Sequence, residues 1–73
     1  MRVVAPDGSE HFKKSARFTH AVVGMVNGYP FVSWRTSREA AVRALQRYDQ
    51  LPREAVSVRI TEAQVVEAER ENA

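Results

Sequence analysis

Apolar and polar positions alternate most clearly around an Asn-Gly pair in the stretch HAVVGMVNGYPFVSW, residues 20–34. Asn27-Gly28 favours a type I′ turn, because both central residues of that turn need positive φ. A two-residue loop fixes the register, so the pattern predicts Val26 opposite Tyr29 and, at the far end, His20 opposite Arg35. We therefore predict a β-hairpin over residues 18–35.

The alternation gives this hairpin two different faces, because successive side chains of a strand point to opposite sides. We expect one face to meet the core, and it carries Ala21, Val23, Met25, Pro30, Val32 and Trp34. The mixed face combines aromatic, small and cationic groups, and it carries Phe18, His20, Val22, Gly24, Val26, Tyr29, Phe31, Ser33 and Arg35. Pro30 has no N–H for a ladder, which places its strand at a sheet edge. A four-residue turn over 27–30 is the alternative and would shift the register.

Turn and cap residues predict further elements on both sides of this hairpin. Pro6-Asp7-Gly8-Ser9 is turn chemistry and predicts a first hairpin over residues 2–14. Thr36 and Glu39 have capping-box spacing, and they precede a helix predicted over residues 37–51. Pro52 ends that helix. Its apolar stripe falls at i, i+3, i+4 and i+7, on Ala41, Ala44, Leu45 and Tyr48.

In the C-terminal quarter of the chain, the spacing of apolar residues changes from the helical period to the alternation of a strand. Residues 55–61 alternate, with Val56, Val58 and Ile60 on one side, and predict a half-buried strand. Thr61 to Gln64 then has the spacing of a second capping box, so we predict a short helix over residues 62–70. Together these elements predict one α+β domain over residues 1–73, an antiparallel sheet packed by the helix at 37–51.

Composition narrows the class of protein without naming a target. The chain has 73 residues, 44% of them hydrophobic, and no cysteine, which fits a small globular domain of a reducing cytoplasm. No apolar run reaches the roughly 20 residues that a membrane helix needs, so we expect no membrane partner. Residues 1–61 carry ten basic and five acidic side chains, whereas residues 62–73 carry one and four. A polyanion can meet that basic body, or the acidic tail can lie on it.

Candidate chemistry is sparse. His11 and His20 lack the partners of a metal site, no serine lies in a nucleophile elbow, and the glycines form no phosphate loop. We therefore expect no catalytic residue, no cofactor and no metal. The mixed face is the candidate partner-binding surface, since aromatic and arginine side chains anchor protein interfaces and stack on bases. Its proposed residues, with two helix arginines added, are His20, Tyr29, Phe31, Arg35, Arg43 and Arg47. Phe31 has a second interpretation, because an aromatic ring opposite Gly24 covers bare backbone.

Two resemblances are visible. VVAPDGSEHF, ARFTHAVVGMVNGYPFVSW and the helix start TSREAA resemble small uncharacterised proteins of actinobacteriophages and actinobacteria, over about residues 1–48. That resemblance implies a phage origin and association with a host protein in the host cytoplasm. RFTHAVVGMVNG followed by SREAAVRAL is similar to the double-stranded RNA-binding domain. The phosphate-gripping lysines of that domain are Arg38, Glu39 and Val42 here, and its first helix is replaced by predicted strands.

These observations favour a non-enzymatic binding protein that acts on a host protein or on a second copy of itself. The alternative is a nucleic-acid-binding module, with the arginines on phosphates and the exposed aromatic side chains on bases.

Overall fold

The computed structural model describes residues 1–49 and 59–70. In chain order its elements are β1 (Arg2–Val4), β2 (Glu10–Phe12), β3 (His20–Val26), β4 (Tyr29–Arg35), α1 (Arg38–Asp49) and β5 (Ile60–Glu67). β1 pairs with β2, and β3 lies at the centre of a three-stranded sheet in the order β4-β3-β5. The α+β prediction, an antiparallel sheet packed by one helix, is confirmed.

The central hairpin has the register that its turn predicts. Asn27 and Gly28 both have positive φ, 50° and 84°, as a type I′ turn requires. The pairs run from Val26 opposite Tyr29 to His20 opposite Arg35 without a shift. β4 is an edge strand of its sheet, which is where Pro30 predicts it.

The first hairpin is also confirmed, with strands shorter than the predicted 2–14. Gly8 has a φ of 87°, and its N–H donates to the Ala5 carbonyl at 2.9 Å. The hairpin joins the larger sheet at one point, where the backbones of Arg2 and Glu69 exchange two hydrogen bonds of 2.7 and 2.8 Å. The Arg2 guanidinium adds ion pairs to Glu10 and Glu69, exposed contacts that contribute little to stability.

Helix α1 begins one residue later than predicted, and its cap is Ser37 rather than Thr36. The Ser37 side chain accepts a hydrogen bond from the Ala40 N–H at 3.1 Å, so Glu39 does not occupy the third helical position of a capping box. The T-x-x-E spacing indicated Thr36 as the helix cap, but the next residue, Ser37, also carries a hydroxyl and caps the helix instead. The predicted end of the helix, residues 50–51 and Pro52, lies outside the described residues.

The predicted C-terminal helix over 62–70 is wrong, because residues 60–67 form strand β5, antiparallel to β3. Its two central valines explain the error. Val65 packs on the helix side of the sheet and Val66 on the opposite side. Neighbouring residues lie on opposite faces of a strand, whereas in a helix they are only about 100° apart and can fall within one apolar stripe. Of the predicted strand 55–61, residues 55–58 lie outside the described part of the chain.

The pairing of β5 with β3 is interrupted by a bulge opposite Gly24. Val23 pairs with Gln64 and Met25 with Thr61, so Glu62 and Ala63 share the place opposite Gly24. Glu62 has a φ of 56°, the left-handed conformation that this type of bulge usually gives to glycine.

Apolar residues lie on both faces of the three-stranded sheet, in two clusters. On one face Val3 of the first hairpin packs against Ala21 and Val23. On the other, α1 packs with Ala41 and Ala44 against Val22, beside Phe31 and Val65. The helix therefore covers the mixed face rather than the face assigned to the core from sequence. Both faces are buried because the first hairpin covers the side that α1 leaves open.

Candidate binding surface

Phe31 was predicted to contact a partner, but its ring is partly buried and packs between α1 and β3. It meets the Tyr48 ring of α1 edge-on, with centroids 5.5 Å apart. On its other side the ring covers Gly24, where an added Cβ would lie 2.6 Å from Phe31 Cε1. These contacts agree with the second interpretation of Phe31, in which its ring covers the bare backbone of Gly24.

His20 and Arg35 are brought together at the end of the sheet where α1 begins. Arg35 and Glu67 flank His20 in one row across the three strands, and all three belong to the helix side of the sheet. The Nε of Arg35 is buried and has no hydrogen-bond partner among residues 1–49 and 59–70. Arginine is among the residue types that commonly anchor protein interfaces.

A hydrogen-bond chain orients the His20 ring. The Thr19 hydroxyl donates its proton to the Thr36 carbonyl at 3.0 Å. The same oxygen lies 2.9 Å from His20 Nδ1 and has only a lone pair left to offer. The imidazole therefore donates from Nδ1, a bond that orients the ring and ties the start of β3 to the end of β4.

Tyr29 is the most exposed large hydrophobic residue of the described chain, at 72%. Tyr29 is the first residue of β4 after the turn. The turn is hydrogen-bonded to Arg59, the residue that precedes β5. The Asn27 N–H donates to the Arg59 carbonyl at 2.9 Å, and the Arg59 N–H donates to Asn27 Oδ1 at 2.7 Å. The turn thus presents an exposed tyrosine at the start of β4, and the exposed Arg59 lies across β3 from it, just before β5. Sequence reasoning missed Arg59, because only the tertiary fold brings it to the turn.

Arg43 and Arg47 lie on the outer side of α1 and are exposed. Arg43 lines a shallow concavity of that side with Arg38, Glu39, Val42 and Gln46. The helix itself separates these arginines from Phe31, whose ring is on the inner side. The six predicted residues therefore do not form one surface. Tyr29 stands at one end of the hairpin, His20 and Arg35 at the other, and the two helix arginines on a separate face.

The first hairpin contains a hydrogen-bond chain that sequence reasoning missed. Ser9 Oγ lies 2.6 Å from Asp7 Oδ1 and 2.9 Å from His11 Nε2. The carboxylate only accepts, so the serine proton goes to Asp7 and His11 donates to Ser9. This is the reverse of the direction that activates a serine nucleophile. Hydrogen bonds from the Ser9 side chain and backbone lower the pKa of Asp7. The signal in the sequence that could have predicted this chain is the D-x-S-x-H spacing of residues 7–11.

A second exposed patch surrounds the end of β2. Phe12 is 57% exposed and lines a shallow concavity with Met1, Lys13 and Lys14. The Lys13 ammonium lies 5.3 Å from the centroid of the Phe18 ring, and that ring meets Trp34 edge-on at 6.4 Å. The patch joins cationic and aromatic groups on a part of the molecule distant in sequence from Tyr29.

Metal sites and membrane spans are the remaining possibilities to consider within residues 1–49 and 59–70. No three His, Asp or Glu side chains there gather closely enough to hold a metal ion. No helix in that part of the chain has the length and apolar character that crossing a membrane requires. No protein-family model, curated protein or solved structure matches the chain.

Proposed function

We propose that this protein is a non-enzymatic binding protein that acts through the β3–β4 hairpin on a protein partner. The observation that carries the proposal is Tyr29, an exposed aromatic residue next to a turn that is hydrogen-bonded to the Arg59 backbone. Tyrosine binds at low entropic cost, because it offers a large contact area with few torsions to fix. Arg59, exposed just before β5, is of another residue type common in interface hot spots.

Two further observations support association rather than catalysis. In the hydrogen-bond chain of Asp7, Ser9 and His11, the Ser9 hydroxyl donates to Asp7 rather than to the histidine. The concavities around Phe12 and Arg43 are open and shallow, whereas substrates are held in enclosed clefts. The resemblance to actinobacteriophage proteins points to a protein of the host cytoplasm as one kind of partner, and a second copy of the chain is the other.

Affinity capture from an actinobacterial lysate, with and without nuclease, tests the proposal. We expect a discrete protein to be retained after nuclease treatment and to be lost with Tyr29→Ser. Phe12→Ser is the matched control, because it removes an exposed aromatic residue from the other hairpin. Equal capture by the wild type and Tyr29→Ser would contradict the assignment of the site. Phe31→Ser is unsuitable here, since it removes a packed ring.

Nucleic-acid binding is the second candidate, and the basic patch around Phe12 favours it. Exposed Lys13, Lys14 and Arg17 follow an exposed phenylalanine, a combination that grips phosphates and stacks on bases. Arg38, Arg43 and Arg47 are exposed as well, and the ion pairs within the described residues involve Arg2 alone.

Fluorescence anisotropy with a labelled single-stranded oligonucleotide tests this candidate. Binding through phosphates must weaken steeply with salt, because it releases counterions. Replacing Lys13 and Lys14 with Glu should remove the binding, whereas replacing Arg43 and Arg47 tests the helix face. Absence of binding at low salt would exclude the candidate.

A further inference from the structure

The outer side of β4 presents backbone hydrogen-bonding groups that the described residues leave unpaired. The two residues that flank a two-residue hairpin turn bond to each other, and the direction of the bonds then alternates along the strand. In the register of β3 and β4, Tyr29, Phe31, Ser33 and Arg35 bond inward to β3. Pro30, Val32 and Trp34 therefore direct their backbone groups outward, where the described sheet has no further strand.

This edge lacks most of the features by which proteins prevent edge-to-edge pairing. Lysines, inward-pointing charges and bulges protect exposed strands. β4 has the sequence YPFVSWR, is seven residues long and pairs regularly throughout. Its one protective residue is Pro30, which removes a donor at the turn end but keeps its carbonyl. Val32 and Trp34 keep both groups and are only partly buried.

We propose that the partner at this edge is a second copy of the chain, paired antiparallel through β4 about a two-fold axis at Val32. This deepens the proposed function and rests on it, because it names the partner of the same hairpin. The strand then overlaps its copy over its full length. Val32 bonds reciprocally to Val32 of the second copy, and each Trp34 N–H donates to the Pro30 carbonyl opposite. A six-stranded sheet results.

Side chains on both faces of β4 fit this arrangement. On the helix side, Tyr29 comes to lie opposite Arg35 of the second copy, so the most exposed large hydrophobic side chain of the described residues meets a guanidinium. Arginine stacks favourably on tyrosine rings. On the other side, Pro30 lies against Trp34 of the second copy, which extends the cluster around Val23 and Val32 across the axis. No like charges are placed opposite each other.

Cysteine cross-linking tests the register, since the chain contains no cysteine of its own. Directly bonded antiparallel residues have Cα atoms about 5.5 Å apart, within disulfide reach. Val32→Cys should therefore form a disulfide-linked dimer on mild oxidation. In the same register the two copies of Tyr29 lie roughly 20 Å apart, so Tyr29→Cys should not. Equal cross-linking of the two variants, or none of Val32→Cys, would overturn the proposal.

Two substitutions of opposite charge at Tyr29 test its contact with Arg35 of the second copy, and neither changes a core residue. Sedimentation equilibrium of the purified wild type should show a monomer–dimer equilibrium with a dissociation constant on the order of 10 µM, since such an edge is smaller than a standard interface. Tyr29→Arg faces Arg35 of the second copy and should weaken dimerisation by about tenfold or more. Tyr29→Glu should keep it within about threefold or tighten it.

The two tests separate this inference from the proposed function. A wild type that stays monomeric at about 1 mM, a hundred times the expected constant, overturns the pairing through β4. So does an equal effect of Tyr29→Arg and Tyr29→Glu. If a lysate protein is still captured through Tyr29 in that case, the proposed function stands with a different partner.

Discussion

At the scale of single residues, the Phe31 ring lies so close to Gly24 that no side chain fits at position 24 without a shift. The ring is held between the glycine and Tyr48, and the Ala63 Cα of the bulge approaches from β5 at 3.1 Å from an added Cβ. The lack of a side chain at position 24 therefore lets a strand, a helix and a bulge meet at one point.

Gly24→Ala should lower the free energy of unfolding by about 1–3 kcal/mol, because the new methyl group displaces a packed ring. Urea titrations measure the change. The control is a double-mutant cycle with Phe31→Leu, which removes the two ring atoms nearest the methyl group. The cost of Gly24→Ala should largely disappear in the Phe31→Leu background. Simple additivity of the two changes would contradict the contact.

The Asp7 carboxylate gives the first turn a dependence on pH. Hydrogen bonds from Ser9 hold the pKa of Asp7 below its ordinary value of 3.8. A carboxyl whose pKa is lower in the folded state stabilises that state above its unfolded pKa, and the effect is lost as the pH falls through the folded one. Asp7→Asn keeps the acceptor oxygen and removes the charge. Its melting temperature should lie below that of the wild type at pH 7, and the difference should shrink below about pH 3.8. A difference independent of pH would argue against the charge.

At the scale of elements, β5 shows how a short segment is decided by what it packs against. Thr61 and Gln64 resemble a helix cap by spacing, yet β3 offers a free edge and two apolar faces. Val65 and Val66 bury on opposite faces only as a strand. The bulge at Glu62 lies opposite Gly24, the residue that the Phe31 ring covers. Local signals for short helices are weak, so such tertiary contacts override them.

Glu62→Gly should stabilise the protein by about 0.5–1 kcal/mol, because glycine adopts the left-handed conformation without the steric cost of a Cβ. Gln64→Gly is the matched control: Gln64 is an exposed neighbour in regular pairing, where glycine should cost about 0.5–1 kcal/mol. Thermal unfolding followed by circular dichroism measures both. The same sign for the two substitutions would show that the bulge is not strained at Glu62.

At the scale of the whole molecule, the three-stranded sheet is closed on both sides by different parts of the chain. Helix α1 covers one face, and the first hairpin covers the other through Val3. A domain of this size has little core to spare, so the docking of a short hairpin matters for global stability. The outer residues of that hairpin, Val4 and Phe12, remain exposed.

Val3→Ala should lower the free energy of unfolding by about 2 kcal/mol, since Val3 is 3% exposed and its loss leaves a cavity. Val4→Ala, one residue away and 45% exposed, should cost less than about 0.5 kcal/mol. Chemical denaturation of both variants gives the comparison. Similar small effects would mean that the first hairpin does not share the cooperative core.

The sequence by itself determined the elements whose signals are local. The Asn27-Gly28 turn fixed the register of β3 and β4 residue by residue, because a two-residue loop leaves no freedom. Pro30 marked the edge strand through its missing donor, and the apolar stripe from Ala41 to Tyr48 gave the inner side of α1. Among the candidate binding residues, Tyr29 was predicted to be exposed on the mixed face of the hairpin, and it is 72% exposed.

Only the tertiary structure decided which elements meet. Both faces of the hairpin were apolar enough to be buried, so alternation did not reveal that α1 takes the face with Phe31. Nor did it reveal that Arg59 comes to the turn, that Asp7, Ser9 and His11 form one chain, or that residues 60–67 pair with β3. These outcomes depend on contacts between segments distant in sequence, because the free energy of burying a face depends on the surface that covers it.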